Sequence, residues 1–153
     1  ASLVAGSILP DGRIGLSLVK TWESDRAIDQ LKIAADIKAY CDEWMPKNVL
    51  FDKFTGQGIA DRLYNSGVKV EDCSGSAFYN ACSTFKDCID NRRVVHGDQP
   101  SLNEAMDNVA AKTQEYGWRI IRKKASGSVA APIGMAMLAL HLSKPMNEAK
   151  IYA

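Results

Sequence analysis

The architecture of this 153-residue chain is clearest at Val49-Leu50-Phe51-Asp52-Lys53-Phe54-Thr55-Gly56-Gln57-Gly58. The first three residues are apolar and predict a short buried strand, and Asp52 stands directly after it. Two glycines follow, and residues 59–65 then predict a short helix. Strands that lead into helices are typical of α/β proteins, in which ligands bind at the carboxyl edge of the sheet. We therefore expect Asp52 at a ligand-binding sheet edge.

The upstream segments predict a β-hairpin and then a helix. The hairpin joins residues 2–9 to residues 13–22 through Pro10-Asp11-Gly12, where proline and glycine suit a reversal of the chain. The next segment has the wide apolar stripe of a helix that covers a sheet, with Ser24 or Asp25 as its N-cap. The helix therefore leads from the hairpin to the strand before Asp52.

The downstream segments continue the alternation of strands and helices. We expect strands at residues 68–70, 93–96 and 118–121, and helices over residues 76–91, from Ser101 and from Ser128. The helix from Ser101 has a capping box with Glu104 and carries Leu102, Met106 and Val109. The resulting order, β-β-α-β-α-β-α-β-α-β-α, predicts one α/β domain.

The composition is that of an ordinary globular protein. Hydrophobic residues make up 46% and charged residues 24%, and the formal net charge of +1 does not by itself indicate a nucleic-acid binder. The four cysteines and two histidines lack zinc-ligand spacing, which favours free core thiols and a reducing compartment. No signal peptide is recognisable, and the longest apolar run, residues 129–142, is too short to span a membrane.

Asp52 and the glycines after it each have a functional and a structural interpretation. A carboxylate at a sheet edge suits a hard cation such as Mg²⁺ or Mn²⁺, whereas position alone favours a helix N-cap or turn residue. Gly56 and Gly58 could bring backbone amides to a phosphate of a small-molecule substrate. A tight turn between strand and helix is the simpler interpretation, because neither a dinucleotide fingerprint nor a P-loop is present.

Two further candidate sites follow later strands. His96 could act as an acid, a base or a ligand, with Asp98 beside it, although a loop pair in which Asp98 caps the next helix is the simpler interpretation. The second site is a basic cluster that could hold DNA phosphates or form only a solvated strand end. Its members are Arg119, Arg122, Lys123 and Lys124.

Four segments in order resemble the nuclease domain of the phage terminase large subunit, the DNA-packaging motor protein. The first is the hairpin, from Ala1-Ser2-Leu3-Val4-Ala5-Gly6 to Pro10-Asp11-Gly12-Arg13, and the second is the strand, acid and helix of residues 49–63. The third is Arg93-Val94-Val95-His96-Gly97-Asp98-Gln99-Pro100-Ser101-Leu102. The fourth runs from Trp118-Arg119-Ile120-Ile121-Arg122-Lys123-Lys124 into Val129-Ala130-Ala131-Pro132-Ile133-Gly134-Met135-Ala136. Each motif is degenerate, and their order and spacing carry the resemblance.

The resemblance implies a ribonuclease H-like fold, with a mixed sheet, an N-terminal β-hairpin and helices on both faces. It also implies an endonuclease that cuts concatemeric DNA with Mg²⁺ or Mn²⁺ held by acids. Asp52 matches the acid of the second strand of that cluster, so it becomes the catalytic and metal-binding candidate. The implied partners are double-stranded DNA and the terminase ATPase domain, portal and small terminase, without a membrane, in the host cell cytoplasm.

Two acids of that family's cluster have no counterpart in this chain. The first belongs to a strand that would precede Ala1, so residues 1–153 are expected to be a nuclease domain without its first strand. The last belongs near the start of the final helix, where this chain reads Ser126-Gly127-Ser128-Val129-Ala130-Ala131. We therefore expect catalytic incompleteness unless Asp98 or another acid substitutes. The alternative is a non-catalytic ribonuclease H-like module that binds DNA or docks on the motor.

Overall fold

The computed structural model describes residues 1–123 and 127–144, which form seven strands and five helices. The strands are β1 Ser2–Ile8, β2 Ile14–Thr21, β3 Val49–Phe51, β4 Val70–Asp72, β5 Val94–His96, β6 Val109–Gln114 and β7 Gly117–Arg122. The helices are α1 Gln30–Trp44, α2 Lys53–Asn65, α3 Ser76–Asp90, α4 Pro100–Asp107 and α5 Ala130–Ser143. None of the helices in the described ranges has the length and apolar character needed to cross a membrane.

The strands form three ladders. The first is mixed, because β2 pairs antiparallel with β1 and parallel with β5. The second joins β3 and β4 in parallel, and the third is the antiparallel hairpin of β6 and β7. The predicted α/β class, the mixed sheet and the N-terminal hairpin are therefore confirmed.

Helices cover both faces of the strands. Val4 of β1 and Leu50 of β3 pack in a large core together with α3, α4 and α5. Their neighbours Leu3 and Val49 pack in a second, smaller core around Ile33 of α1. Because successive side chains of a strand point to opposite faces, the two cores lie on opposite sides of these strands.

A β-bulge in β2 reverses the faces to which its side chains point on either side of the bulge. Leu3 pairs with Lys20, but Val4 pairs with Leu18, so β2 has one extra residue at this point. Leu18 consequently packs in the large core, whereas Lys20 donates a hydrogen bond of 2.8 Å to Asp36 on α1. The bulge thus anchors the end of β2 to α1.

Helices α1 and α2 begin several residues away from their predicted starts. The N-cap of α1 is Asp29, which accepts a hydrogen bond from the backbone of Lys32, so the expectation of Ser24 or Asp25 is wrong. Helix α2 begins at Lys53 and contains both Gly56 and Gly58. Neither glycine therefore lies in a phosphate-binding loop or in a turn.

The region after β5 shows a further difference. Helix α4 has Gln99 as its N-cap without a side-chain cap bond, so the capping box of Ser101 and Glu104 is not formed. The helix ends at Asp107, and Val109 begins β6 rather than belonging to α4. The predicted strand at 118–121 is accordingly one half of the β6–β7 hairpin.

The cysteine prediction is confirmed. All four thiols are free; three are buried and Cys41 is half-buried. Burial raises the pKa of the Cys73 thiol above its ordinary value. Cys82 accepts a hydrogen bond of 3.4 Å from the backbone of Ile120, which joins α3 to β7. These thiols therefore act as small core groups.

Candidate functional site

Asp52 lies at the carboxyl end of β3 and caps α2. Its Oδ1 accepts a hydrogen bond of 3.2 Å from the backbone of Phe54, and its Oδ2 accepts one of 3.1 Å from the Thr55 hydroxyl. These contacts are those of an N-cap residue, which was the structural interpretation of Asp52. The sheet-edge position is also as expected, so the side chain that caps α2 is the one for which ligand binding was predicted.

A second acid lies at the end of the neighbouring strand. Asp72 is the partner of Phe51 in the parallel ladder, and Ser74 follows it. The Ser74 hydroxyl oxygen lies 3.0 Å from Asp52 Oδ1 and is also hydrogen-bonded to Asp72 Oδ1. It accepts a hydrogen bond of 2.8 Å from the backbone of Lys53. The two carboxylates therefore converge on one hydroxyl group.

More acceptor oxygens meet here than the single hydroxyl proton can satisfy, an arrangement that suits a bound cation. A serine hydroxyl has one proton, so it can donate to Asp52 or to Asp72 but not to both at once. The carboxylate that does not receive this proton then faces the Ser74 oxygen without a hydrogen between them. Sequence reasoning missed Asp72, because the strand was expected to end at residue 70. The same rule that selected Asp52, an acid at a strand end, would have found it in a longer strand.

One cation of the predicted basic cluster shares a groove with Asp52. The groove has a volume of about 630 Å³ and lies between β1, β3, α2 and the start of α5. Asp52 and Arg122 both line it. Within residues 1–123 and 127–144, no hydrogen bond or ion pair engages the Arg122 guanidinium. An anionic ligand could therefore meet Arg122 and a carboxylate-bound cation in one groove.

The other members of the basic cluster have separate surroundings. Arg119 stands directly opposite Lys112 in the β6–β7 ladder, an arrangement of like charges that is destabilising. Lys123, the first residue after β7, donates a hydrogen bond from its ammonium group to the backbone carbonyl of Asp107. Lys124 lies outside the described residues. The sequence cluster is thus not one continuous patch.

His96 and Asp98 form the local loop pair. His96 Nδ1 accepts a hydrogen bond of 3.2 Å from the backbone of Asp98, and Asp98 accepts one of 2.7 Å from Asn103 on α4. Both side chains are exposed, and neither lines the groove of Asp52. Asp98 therefore has the contacts of a loop residue that steadies the next helix.

The described part of the chain contains no group of three or more His, Cys, Asp or Glu residues that could hold a metal ion. The first turn of α5 likewise has no acid, as expected from the sequence. Asp52 and Asp72, with the Ser74 hydroxyl, remain as the oxygen ligands that converge. This set fits Mg²⁺, which is usually bound through one or two carboxylates and keeps several waters.

A slot separates the two main ladders. Strand β1 is the edge of the first ladder and β3 the edge of the second, and a cavity of about 180 Å³ is lined by both. Residues of α1 and α5 close its two faces, among them Ile37, Tyr40, Met137 and Leu138. The slot therefore has two strand edges as its sides and apolar helices above and below.

Comparisons by sequence give no match, either to a family model or to a curated protein. Comparisons by structure find matches. The HK97 bacteriophage large terminase superposes with a TM-score of 0.74 and 16% identity over 92% of this chain, which corresponds to 36% of the terminase chain. The large terminase nuclease of thermophilic phage G20c superposes with a TM-score of 0.60 and 15% identity, over 78% of this chain and 65% of that one.

A cobalt-bound structure of the same G20c nuclease gives a TM-score of 0.61 and 12% identity, over 90% of this chain and 79% of that chain. This chain thus spans about a third of the HK97 protein and most of the isolated nuclease. Because no identity exceeds 16%, the likeness is one of fold. This chain has the ribonuclease H-like fold of the phage large-terminase nucleases.

Proposed function

We propose that this chain is the nuclease domain of a phage large terminase, a metal-dependent endonuclease that cuts concatemeric DNA during packaging. The observation that carries the proposal is the pair of carboxylates, Asp52 and Asp72, held together at adjacent strand ends in this fold. Arg122 in the same groove as Asp52 supplies a cation for a DNA phosphate. In this assignment Asp52 is a metal ligand, together with Asp72.

The proposed metal is Mg²⁺ or Mn²⁺. Structures of the G20c nuclease contain magnesium or cobalt, so a related fold accepts divalent ions. Asp52 and Asp72 would hold the ion in this chain, with Ser74 as their shared hydroxyl. When bound, such an ion activates a water molecule and stabilises the leaving oxygen of a phosphodiester. The protein's own share is to fix the carboxylates and to orient the phosphate through Arg122.

The slot between β1 and β3 supports the expectation of one more strand. A strand from outside residues 1–153 would pair with both edges and unite the two ladders into one sheet. It would be buried on both faces, because α1 and α5 cover the slot, so an apolar sequence would suit it. An acid at its end would add to the carboxylates of the groove.

DNA cleavage tests this function. The natural full-length protein and the chain of residues 1–153 are incubated with supercoiled plasmid in Mg²⁺, in Mn²⁺ or in EDTA. We expect the full-length protein to nick DNA with either ion and not in EDTA, and the shorter chain to be at least about a hundredfold slower, because it lacks part of the ligand set. Cleavage that persists in EDTA, or none by the full-length protein with any divalent ion, would contradict the proposal.

A non-catalytic module is the second candidate function. It is favoured by the absence, among the described residues, of a three-ligand metal cluster. Such a module would bind double-stranded DNA, or dock on the terminase ATPase domain, the portal or the small terminase, without cutting. Salt-sensitive DNA binding together with no cleavage in every divalent ion would identify it.

The nuclease and the DNA-binding form of the non-catalytic module both predict that Arg122 contacts DNA. We expect Arg122→Gln to weaken duplex binding several-fold at low salt and to reduce the slope of log affinity against log salt by about one. Fluorescence anisotropy between about 50 and 200 mM salt measures both quantities. Arg26→Gln, which changes an exposed arginine in the loop before α1, is the control and should leave both unchanged. Equal behaviour of the two variants would remove Arg122 from the interface.

A further inference from the structure

An aromatic ring and a cation stand beside the carboxylates without a part in the site described so far. Phe54, in the first turn of α2, is 76% exposed. The ammonium nitrogen of Lys53 lies 5.4 Å from the centroid of its ring. The pair thus presents an apolar face with a positive charge next to it.

Both residues are tied to the acids through their backbones. The amide of Phe54 donates to Asp52 Oδ1 at 3.2 Å, and the amide of Lys53 donates to the Ser74 hydroxyl at 2.8 Å. The Asp52 carboxylate therefore holds the backbone of Phe54 in place. The groove of Asp52 is lined by Thr55 and Gly56 but not by Phe54, so the ring lies beside this groove, two residues along the chain from the acid.

Apart from their exposed contact with each other, the two side chains give the fold little at these positions. A lysine in the first turn opposes the helix dipole, which favours negative charge there. A phenylalanine ring that is mostly in water gains little from the hydrophobic effect. Local choices that disagree with the fold are concentrated at functional sites. Two side chains of little structural benefit thus lie directly beside the acid pair.

We propose that Phe54 stacks on an unpaired nucleobase of DNA whose phosphate lies at Asp52, with Lys53 neutralising the adjacent phosphate. Aromatic rings bind bases of any sequence by stacking, and lysines follow the backbone. Bases inside a duplex already stack on one another, so a base is offered to Phe54 at an end, a gap or an unwound step. The preferred substrate is therefore DNA with single-stranded character beside the cleaved phosphate. This inference rests on the proposed function.

The test compares the full-length protein with its variants Phe54→Leu, Phe54→Trp and Tyr64→Leu. Tyr64 is 69% exposed at the other end of α2 and serves as the matched control. The probes are a fluorescein-labelled oligothymidylate of about ten nucleotides and a blunt duplex, both measured by anisotropy with Ca²⁺ present. Circular dichroism verifies the fold of each variant.

We expect Phe54→Leu to weaken oligothymidylate binding roughly tenfold, with Phe54→Trp and Tyr64→Leu close to the parent chain and duplex binding little changed. Oligothymidylate affinities that are the same for Phe54→Leu and Tyr64→Leu would overturn the stacking role and leave the proposed function standing. Failure of the full-length parent protein to bind either probe would overturn the proposed function and this inference with it.

Discussion

Under the proposed nuclease function, Asp52→Ala and Asp52→Ser are expected to reduce metal-dependent cleavage by the full-length protein to the same extent, by about a hundredfold or more, because both remove the proposed carboxylate ligand. They should differ in stability. A serine at this position can still accept the hydrogen bond from the Phe54 amide, and serine is a good N-cap. Alanine cannot, so we expect Asp52→Ala to be less stable than Asp52→Ser by about 1 kcal/mol.

Plasmid nicking and urea denaturation separate these two roles. Asp61→Ser on α2 is the control, because it removes an exposed acid of the same helix whose hydrogen bond is to Gln57. It should cleave like the parent protein. If Asp52→Ser retains full cleavage while Asp52→Ala loses it through instability, Asp52 is a helix cap and not a metal ligand.

The position of Asp52 could be predicted because its signals are local. Three apolar residues and an acid mark a strand end, and the same acid is the N-cap of α2. The start of α2 could not be read as easily. Gly56 and Gly58 suggested a turn, yet the cap at Asp52 begins the helix before them. Each glycine costs about 1 kcal/mol in a helix and a cap contributes about as much, so the helix depends in addition on the burial of Ala60 and Leu63.

The β6–β7 hairpin shows where local signals fail. Residues 109–114 include two alanines, a lysine and a glutamine, which suit a helix. They form a strand because each pairs with a residue of β7, and Ile120 of β7 is buried against α3. Such pairing depends on the tertiary structure, and β propensity is weak beside it. The same hairpin separates two members of the basic cluster, because Arg119 lies opposite Lys112 whereas Arg122 lines the groove of Asp52.

Gln99 makes a contact with the backbone of β2 that no sequence pattern predicts. Strand β2 pairs with β5 from Ile14 to Leu16, and the Gln99 carboxamide then continues the ladder. Its Oε1 accepts from the backbone amide of Leu18 at 2.8 Å, and its Nε2 donates to the carbonyl of the same residue at 2.9 Å. A primary amide offers the donor and acceptor of a peptide group, so it can replace a strand residue.

We expect Gln99→Ala to lower the free energy of unfolding by about 2 kcal/mol, because it leaves the amide and carbonyl of Leu18 without protein partners. Gln99→Glu should also destabilise, since a carboxylate cannot donate to that carbonyl. Gln57→Ala, which removes an exposed glutamine of α2, is the control and should be nearly neutral. Urea denaturation measures all three. A Gln99→Ala variant as stable as the control would mean that water satisfies this edge of β2 as well as the side chain does.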